Sequence, residues 1–213
     1  NRNRIFIDRV KGIGTISAED VTAWSLTGPI ARASGVRHDL RKSSPYLCYE
    51  DNWDGCGADA VSFTVPYATD GDSLCRYLIR LEEIRQSVKI IEQLIDSIPT
   101  GPVNTAPDGK MHIPPKGDVY GSIEGMIQQF EIFMPNRGWS APVGELYASI
   151  EGPNGELGYF IVSDGSKCAF RAAVRPPSFF NFQAFAPLME GHQLADIVAV
   201  LGSLNIIAAE LDR

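Results

Sequence analysis

The strongest constraint on the fold lies between Asp72 and Ile98. Leu74, Leu78, Leu81, Ile84, Val88, Ile91, Ile95 and Ile98 recur at spacings of three and four, the period of one face of an α-helix. Asp72 supplies an N-cap and Pro99 a stop. Arg80, Glu82, Glu83, Arg85, Lys89 and Glu92 make the other face polar. A helix of this length with one apolar stripe reads as a bundle element.

The flanking sequence adds shorter pieces. Ser17-Ala18-Glu19-Asp20 places an acid three positions after a capping serine, predicting a short helix that ends near Gly28-Pro29. Residues 43–71 are turn-rich and read as a long loop excursion. Its alternating piece, Val61–Val65, is expected to be an edge strand ended by Pro66. Five prolines between 99 and 116 predict a surface linker. A second helix is expected from about Val119 to Phe133. The period then switches to two over Glu145–Glu151, Leu157–Ser163 and Ala169–Arg175, with turns at Pro153-Asn154-Gly155 and Asp164-Gly165. Residues 145–175 therefore predict a three-stranded antiparallel β-meander. Helices around Asn181–Met189 and His192–Leu204 follow. Helices, a small sheet, then helices again give an α+β fold, mainly helical, in one domain over residues 1–213.

Several function classes are excluded or disfavoured. The charge balance, 19 basic against 26 acidic residues for a net −7, argues against nucleic acid as a partner. No apolar run approaches the ~18 residues of a membrane span. Asn1 is not a methionine, and no leader-like pattern follows it, so the start reads as a cut end. Cys48, Cys56, Cys75 and Cys168 form no C-x-x-C pair, which leaves no zinc or dithiol signature. Cys48 and Cys56 could bridge their loop, but reduced thiols are the default. Gly12-Ile13-Gly14 lacks the strand–loop–helix context of a dinucleotide site. Asp51, Asp54, Asp59, Asp70 and Asp72 miss the spacing of a calcium loop.

Two constellations keep a functional reading beside a plain one. Arg32, Arg37, Arg41 and Lys42 surround Asp39 among glycine and serine; they form either a loop held by ion pairs or a rigid patch facing an anion, cofactor or partner. His192 opens an apolar helix after Gly191. Satisfaction by backbone or solvent is favoured there over a role as pocket donor or proton relay.

The segment RASGVRHDLRKSSPY carries the pattern RASG-x3-D-[LV]-RK-x2-PY and resembles the 49 kDa (D-type) subunit of respiratory complex I. GDSLCRYLIRLEEIRQSVKIIEQ, GELGYFIVSDGS, VRPPSFFNFQAF, EGHQLAD and the terminal VLGSLNIIAAELDR are similar to the same family, in the same order from about Arg4 to Arg213. The resemblance covers the C-terminal half of a protein roughly twice as long. It implies a fold like that of nickel–iron hydrogenase large subunits with the metal chemistry removed. Ile207 and Glu210 stand where the hydrogenases carry two nickel-binding cysteines, and an isoleucine side chain binds no metal. Neither nickel nor hydrogenase activity is therefore expected.

By the same resemblance the chain is part of a proton-pumping NADH:quinone oxidoreductase, inactive as an isolated piece. Electrons would reach ubiquinone or menaquinone from an iron–sulfur cluster. Both that cluster and NADH are held by other subunits. Ile207, Ala208, Asp212 and Arg213 would line the quinone pocket. Arg32, Asp39, Arg41 and His192 would support it or the interface to the cluster-bearing neighbour; no catalytic residue is expected in this half. Other complex I subunits, membrane-arm subunits among them, would be the partners, and the location peripheral, on the cytoplasmic face of a bacterial inner membrane or its equivalent. An assembly protein that keeps the fold, or part of a ferredoxin-dependent quinone oxidoreductase, are the alternatives. Asn205 and Ala209 depart from the family, which commonly has aspartate and glycine there.

Overall fold

The computed structural model describes residues 3–51, 61–98, 100–101, 113–134 and 140–212. Expectations for Cys56, and for a Cys48–Cys56 bridge, fall outside them, as do those for Asp54, Asp59 and Arg213. The chain divides into two compact units. The first contains residues 1–99, 149–158 and 175–213, and the second contains 100–148 and 159–174.

The first unit begins with helices α1 (Arg4–Val10), α2 (Ala18–Ala23), α3 (Pro29–Ala33) and α4 (Leu40–Ser43). Ser17 caps α2 by accepting from the Asp20 amide at 3.0 Å, and Asp39 caps α4. The long helix is α5 (Ser73–Ser97). Asp72 caps it, accepting from the Cys75 amide at 2.8 Å, while its second oxygen accepts from the Gly12 amide at 2.8 Å. One side chain thus starts the helix and anchors the turn after α1.

A bundle element is expected to bury its apolar stripe, and α5 does the reverse. Its buried positions are Ser73, Arg76, Ile79, Gln86 and Ile90, whereas Ile84, Val88, Ile91, Ile95 and Ile98 are exposed. Val61–Val65 forms no strand either. The Ser62 amide donates to Gln93 Oε1 at 3.0 Å, Gln93 Nε2 donates back to the Ser62 carbonyl at 2.9 Å, and the Thr64 amide donates to Gln86 Oε1 at 3.2 Å. Glutamine side chains of α5 take the place of a partner strand, which satisfies the backbone without a sheet edge.

In the second unit the expected single helix is two, α6 (Lys116–Gly121) and α7 (Ile123–Phe133), parted at Ser122, whose hydroxyl caps α7 at the Gly125 amide. Lys167 closes the other end of α7. Its ammonium donates to the carbonyls of Glu131, Ile132 and Met134 at 2.6, 2.8 and 2.7 Å, a favourable place for a cation. Strands β1 (Gly144–Gly152), β2 (Gly155–Ser163) and β3 (Arg171–Arg175) form one sheet in the order β1-β2-β3.

Helices α8 (Pro177–Phe182), α9 (Phe185–Met189), α10 (Ile197–Leu204) and α11 (Ala208–Leu211) finish the first unit. A 3-10 turn at Leu194–Asp196 precedes α10, so the helix starts later than His192. The core joins Ile16, Val21, Leu26, Ile30 and Ala31 to Ala184, Leu188, Val200 and Leu204. Glycine is required where the backbone crosses it: a Cβ on Gly71 (φ +65) would sit 2.2 Å from the Ile16 carbonyl oxygen.

Candidate functional site

Arg32 is one of five consecutive buried residues in α3 and is 1 % exposed. A guanidinium in that position must find acceptors for every donor or lose stability. Its Nε donates to Glu83 Oε1 at 2.9 Å and one terminal nitrogen donates to Glu151 Oε1 at 2.8 Å and the His38 carbonyl at 3.1 Å. The other terminal nitrogen lies 2.7 Å from Glu83, and Asp39 stands 3.6 Å away. Three carboxylates, from α5, the end of β1 and the start of α4, therefore converge on one buried cation.

Asp39 and Glu151 are held by other donors as well. Asp39 Oδ1 accepts from the Arg41 amide and from Arg41 Nε, and Oδ2 accepts from the Arg41 terminal nitrogen at 2.6 Å. Glu151 Oε2 accepts from the Leu40 amide, and the Glu151 amide donates to the Tyr46 hydroxyl. The Arg41 guanidinium lies over the Phe63 ring at 4.7 Å. A bidentate pair stacked on an aromatic ring fixes Arg41 more firmly than an ion pair alone.

The protonation equilibria follow from this arrangement. Burial works against the Asp39 carboxylate, but the Arg41 and Arg32 guanidinia overcome it and hold its pKa below the ordinary value. Arg32 keeps its proton more firmly than usual, because its carboxylate neighbours outweigh burial. Glu83 goes the other way. Burial pushes it above the ordinary range despite its contact with Arg32. The pair is asymmetric because three carboxylates surround Arg32, whereas Glu83 pairs with that one guanidinium, which it shares with the two other acids. Burial also raises the Tyr46 phenol.

This ion cage borders a cavity of about 410 Å³. Arg32, Arg41, Glu83 and Glu151 line it on one side, joined by Tyr49, Arg80 and Asn205. Asn205 ends α10 in the left-handed conformation (φ +55), and its Nδ2 donates to Asn154 Oδ1 at 2.7 Å. Arg80 and Asn205 also face a second, more apolar cavity of about 610 Å³ between α1, α5 and α10. There Arg80 donates to the Ser203 and Leu204 carbonyls; no partner for its Nε lies among the described residues.

Sequence reasoning groups Arg32, Asp39 and Arg41, and the structure brings them together. It misses Glu83, Arg80 and Glu151. Glu83 and Arg80 read as polar-face residues of the long helix; the one available signal is that they share a face with Arg76, one turn apart. Nothing in sequence points from Arg32 to Glu151, 119 positions away. His192 is not part of the cage. It is exposed, 4.0 Å from Asp196, which is held mainly by Arg9 and caps the 3-10 turn. Ile207, Ala208 and Asp212 are exposed and line neither cavity. The terminal segment is tied down instead by Glu210, whose carboxylate accepts from the Ser178 amide at 3.0 Å.

Comparison with known proteins gives this arrangement its family. The model of the respiratory-chain NADH dehydrogenase 49 kDa subunit matches residues 1–213. The D-type subunit of NADH-quinone oxidoreductase from Geotalea uraniireducens is 46% identical over 212 residues, covering 100% of this chain and 51% of the relative. Its counterpart from Leptospira biflexa is 47% identical over 211 residues, 99% of this chain and 49% of the relative. The C/D-type subunit of the same enzyme from Bdellovibrio bacteriovorus is 46% identical over 211 residues, 99% of this chain and 36% of the relative. The chain spans about half the length of the D-type relatives it matches. With the family model matching from end to end and identities near one half, the chain belongs to the family of respiratory-chain NADH dehydrogenase 49 kDa subunits.

Proposed function

We propose that this chain is the C-terminal portion of a subunit of an NADH:quinone oxidoreductase, and that it helps to build the site where quinone is reduced. The observation that carries the reading is the position of Asn205. It borders the cavity of the Arg32 cage and lies two residues before Ile207. One short stretch of backbone therefore connects the rigid charge cluster to the terminal segment.

In this reading Ile207 and Ala208 supply apolar wall to the quinone headgroup, and Asp212 and Arg213 hold the end of the chain. Electrons come from an iron–sulfur cluster on a neighbouring subunit. Arg32, Asp39, Arg41, Glu83 and Glu151 are positioning residues: they fix the loop and strand end beside the pocket, and they contact no reacting atom. Three guanidinia (Arg32, Arg41, Arg80) and two carboxylates (Glu83, Glu151) line the cavity, and Asp39 pairs with Arg32 and Arg41 from outside it, so the cluster is nearly neutral and can adjoin an uncharged quinone without repelling it. The exposure of Ile207 and Ala208 supports a wall completed by another surface of the complex. The hydrogenase-like ancestry and a peripheral place on the cytoplasmic face belong to the same reading.

The test is photo-crosslinking with an azido-quinone in the assembled complex containing the full-length subunit. Labelling of the Leu201–Arg213 peptide that excess quinone competes away is the expected outcome. A complex that turns over quinone while that peptide stays unlabelled would overturn the assignment. A complex that assembles normally but has no quinone reductase activity would favour a structural role in assembly.

A further inference from the structure

A second feature of the RASG–DLRK region lies beside the cage and shares Asp39 with it. On its outer side Arg37, Asp39, Lys42, Ser43, Val65 and Tyr67 line a groove of about 410 Å³. Arg37 and Lys42 are exposed, and no carboxylate among the described residues pairs with either. They are nevertheless held in place. The Arg37 guanidinium lies over the Tyr67 ring, 3.8 Å from its centre, and donates to the Tyr67 hydroxyl. The Lys42 ammonium sits 4.2 Å from the centre of the Phe63 ring.

Asp39 is the one acid among the described residues that line the groove, and it cannot neutralise these cations. Both of its oxygens are taken by Arg41, Arg32 stands 3.6 Å behind it, and it is buried. A chain with net charge −7 thus presents two pre-oriented cations, unpaired among the described residues, at one recess that Val65 also lines. Stacking on the rings lowers the entropy that a partner's carboxylates would otherwise have to overcome on pairing with two long side chains.

We propose that this groove docks an acidic segment of a neighbouring subunit, with a carboxylate between Arg37 and Lys42 and an apolar side chain of the same segment on Val65. The proposal rests on reading the chain as part of a multi-subunit complex. A membrane surface fits the groove less well, because attraction to anionic lipid takes clusters of about four to eight basic residues on an open face. The two cations here line a recess. A nucleic acid is opposed by the overall charge.

The test uses the native complex and needs no variant that has to fold. Lys42 is acetylated under pulse conditions in the free full-length subunit and in the assembled complex, and the complex is then treated with a zero-length carbodiimide crosslinker. The expected result is that acetylation of Lys42 falls about tenfold or more on assembly, with a crosslink from Lys42 to an Asp or Glu of another subunit. Equal acetylation in the two states overturns the proposal, as do crosslinks confined to this chain. Protection that vanishes when the complex is delipidated, with no crosslink, overturns it in favour of a lipid headgroup. A full-length protein that associates with no other subunit at all removes the underlying reading, whereas a complex that assembles with Lys42 open removes the groove alone.

Discussion

Arg32 and Arg76 are both sealed from solvent, yet Arg32 sits among three carboxylates while Arg76 has none within ion-pair distance among the described residues. Arg76 donates instead to neutral oxygens: the Gly71 and Gly14 carbonyls at 2.7 and 2.8 Å, and the Ser203 and Ser73 hydroxyls at 3.0 Å each. The protonation equilibria record the difference. Arg32 holds its proton more firmly than an ordinary arginine, whereas burial, with a smaller push from Arg80, pulls Arg76 down to about 10. Arg76 is a bracket, tying the turns at Gly14 and Gly71 to α10 through hydrogen bonds. Arg32 is the hub of an ion cluster, and its loss leaves like charges facing one another. A hub of that kind is held by opposite charges, whereas the bracket is held by neutral acceptors.

Removing the hub should therefore cost the most. Arg32→Ala leaves Glu83, Glu151 and Asp39 buried together and should destabilise the full-length protein by about 3–5 kcal/mol, read as a shift in its urea midpoint. Arg76→Met removes a charge that no carboxylate among the described residues pairs with directly, leaving unfilled acceptors. Its cost should be about 1–3 kcal/mol, smaller than that of Arg32→Ala in the same assay.

Protons sharpen the comparison further. Glu83 is raised in the folded state, so its contribution is fully present below its ordinary value near 4.5 and is lost as pH rises through the folded value. Asp39 is depressed, so its contribution is present above its ordinary value near 3.8 and is lost as pH falls through the folded one. Wild type should lose stability relative to Glu83→Gln as pH climbs from 4.5 toward neutrality. It should lose stability relative to Asp39→Asn as pH drops below 3.8. Denaturant midpoints measured across that range would give slopes of opposite sign; parallel curves would show that the cage does not titrate as drawn.

The smallest effect is expected at Arg85, whose pair with Glu82 lies on the open side of α5. Arg85→Ala should change stability by less than about 1 kcal/mol, and a larger change would mean that this face is covered.

Local chemistry is legible in the sequence, and long-range compensation is not. Capping residues and proline stops mark the ends of α5, and Ser17 marks the start of α2, because those signals act within a few residues. Alternation over residues 145–175 marks the strands. The burial of α5 is misjudged for a physical reason. Periodicity identifies an apolar face but not what lies against it, and here Arg76, Gln86 and Glu83 find partners on the inner side while Ile84, Val88 and Ile91 are left outside. Gln86 and Gln93 standing in for a strand at Ser62–Thr64 has no sequence signature at all, since a side-chain amide can imitate a ladder only once the fold has brought it there. For the site, Arg32, Asp39 and Arg41 lie within ten residues of one another and are found together. Glu83 and Glu151 come from distant elements and can be found only by asking which acids neutralise a buried arginine. His192 shows the converse: a suggestive residue type that the structure seats at the surface beside Asp196.

The central proposal is that the Arg32 cage positions a quinone site whereas the Arg76 bracket only holds the fold. The most direct test compares quinone reduction by the assembled complex carrying Arg32→Lys or Arg76→Lys in the full-length protein, at equal assembled amounts and across pH. The account predicts a raised quinone KM and a displaced pH profile for Arg32→Lys, with Arg76→Lys close to wild type in both. Equal changes from the two substitutions, or a normal profile for Arg32→Lys, would contradict it.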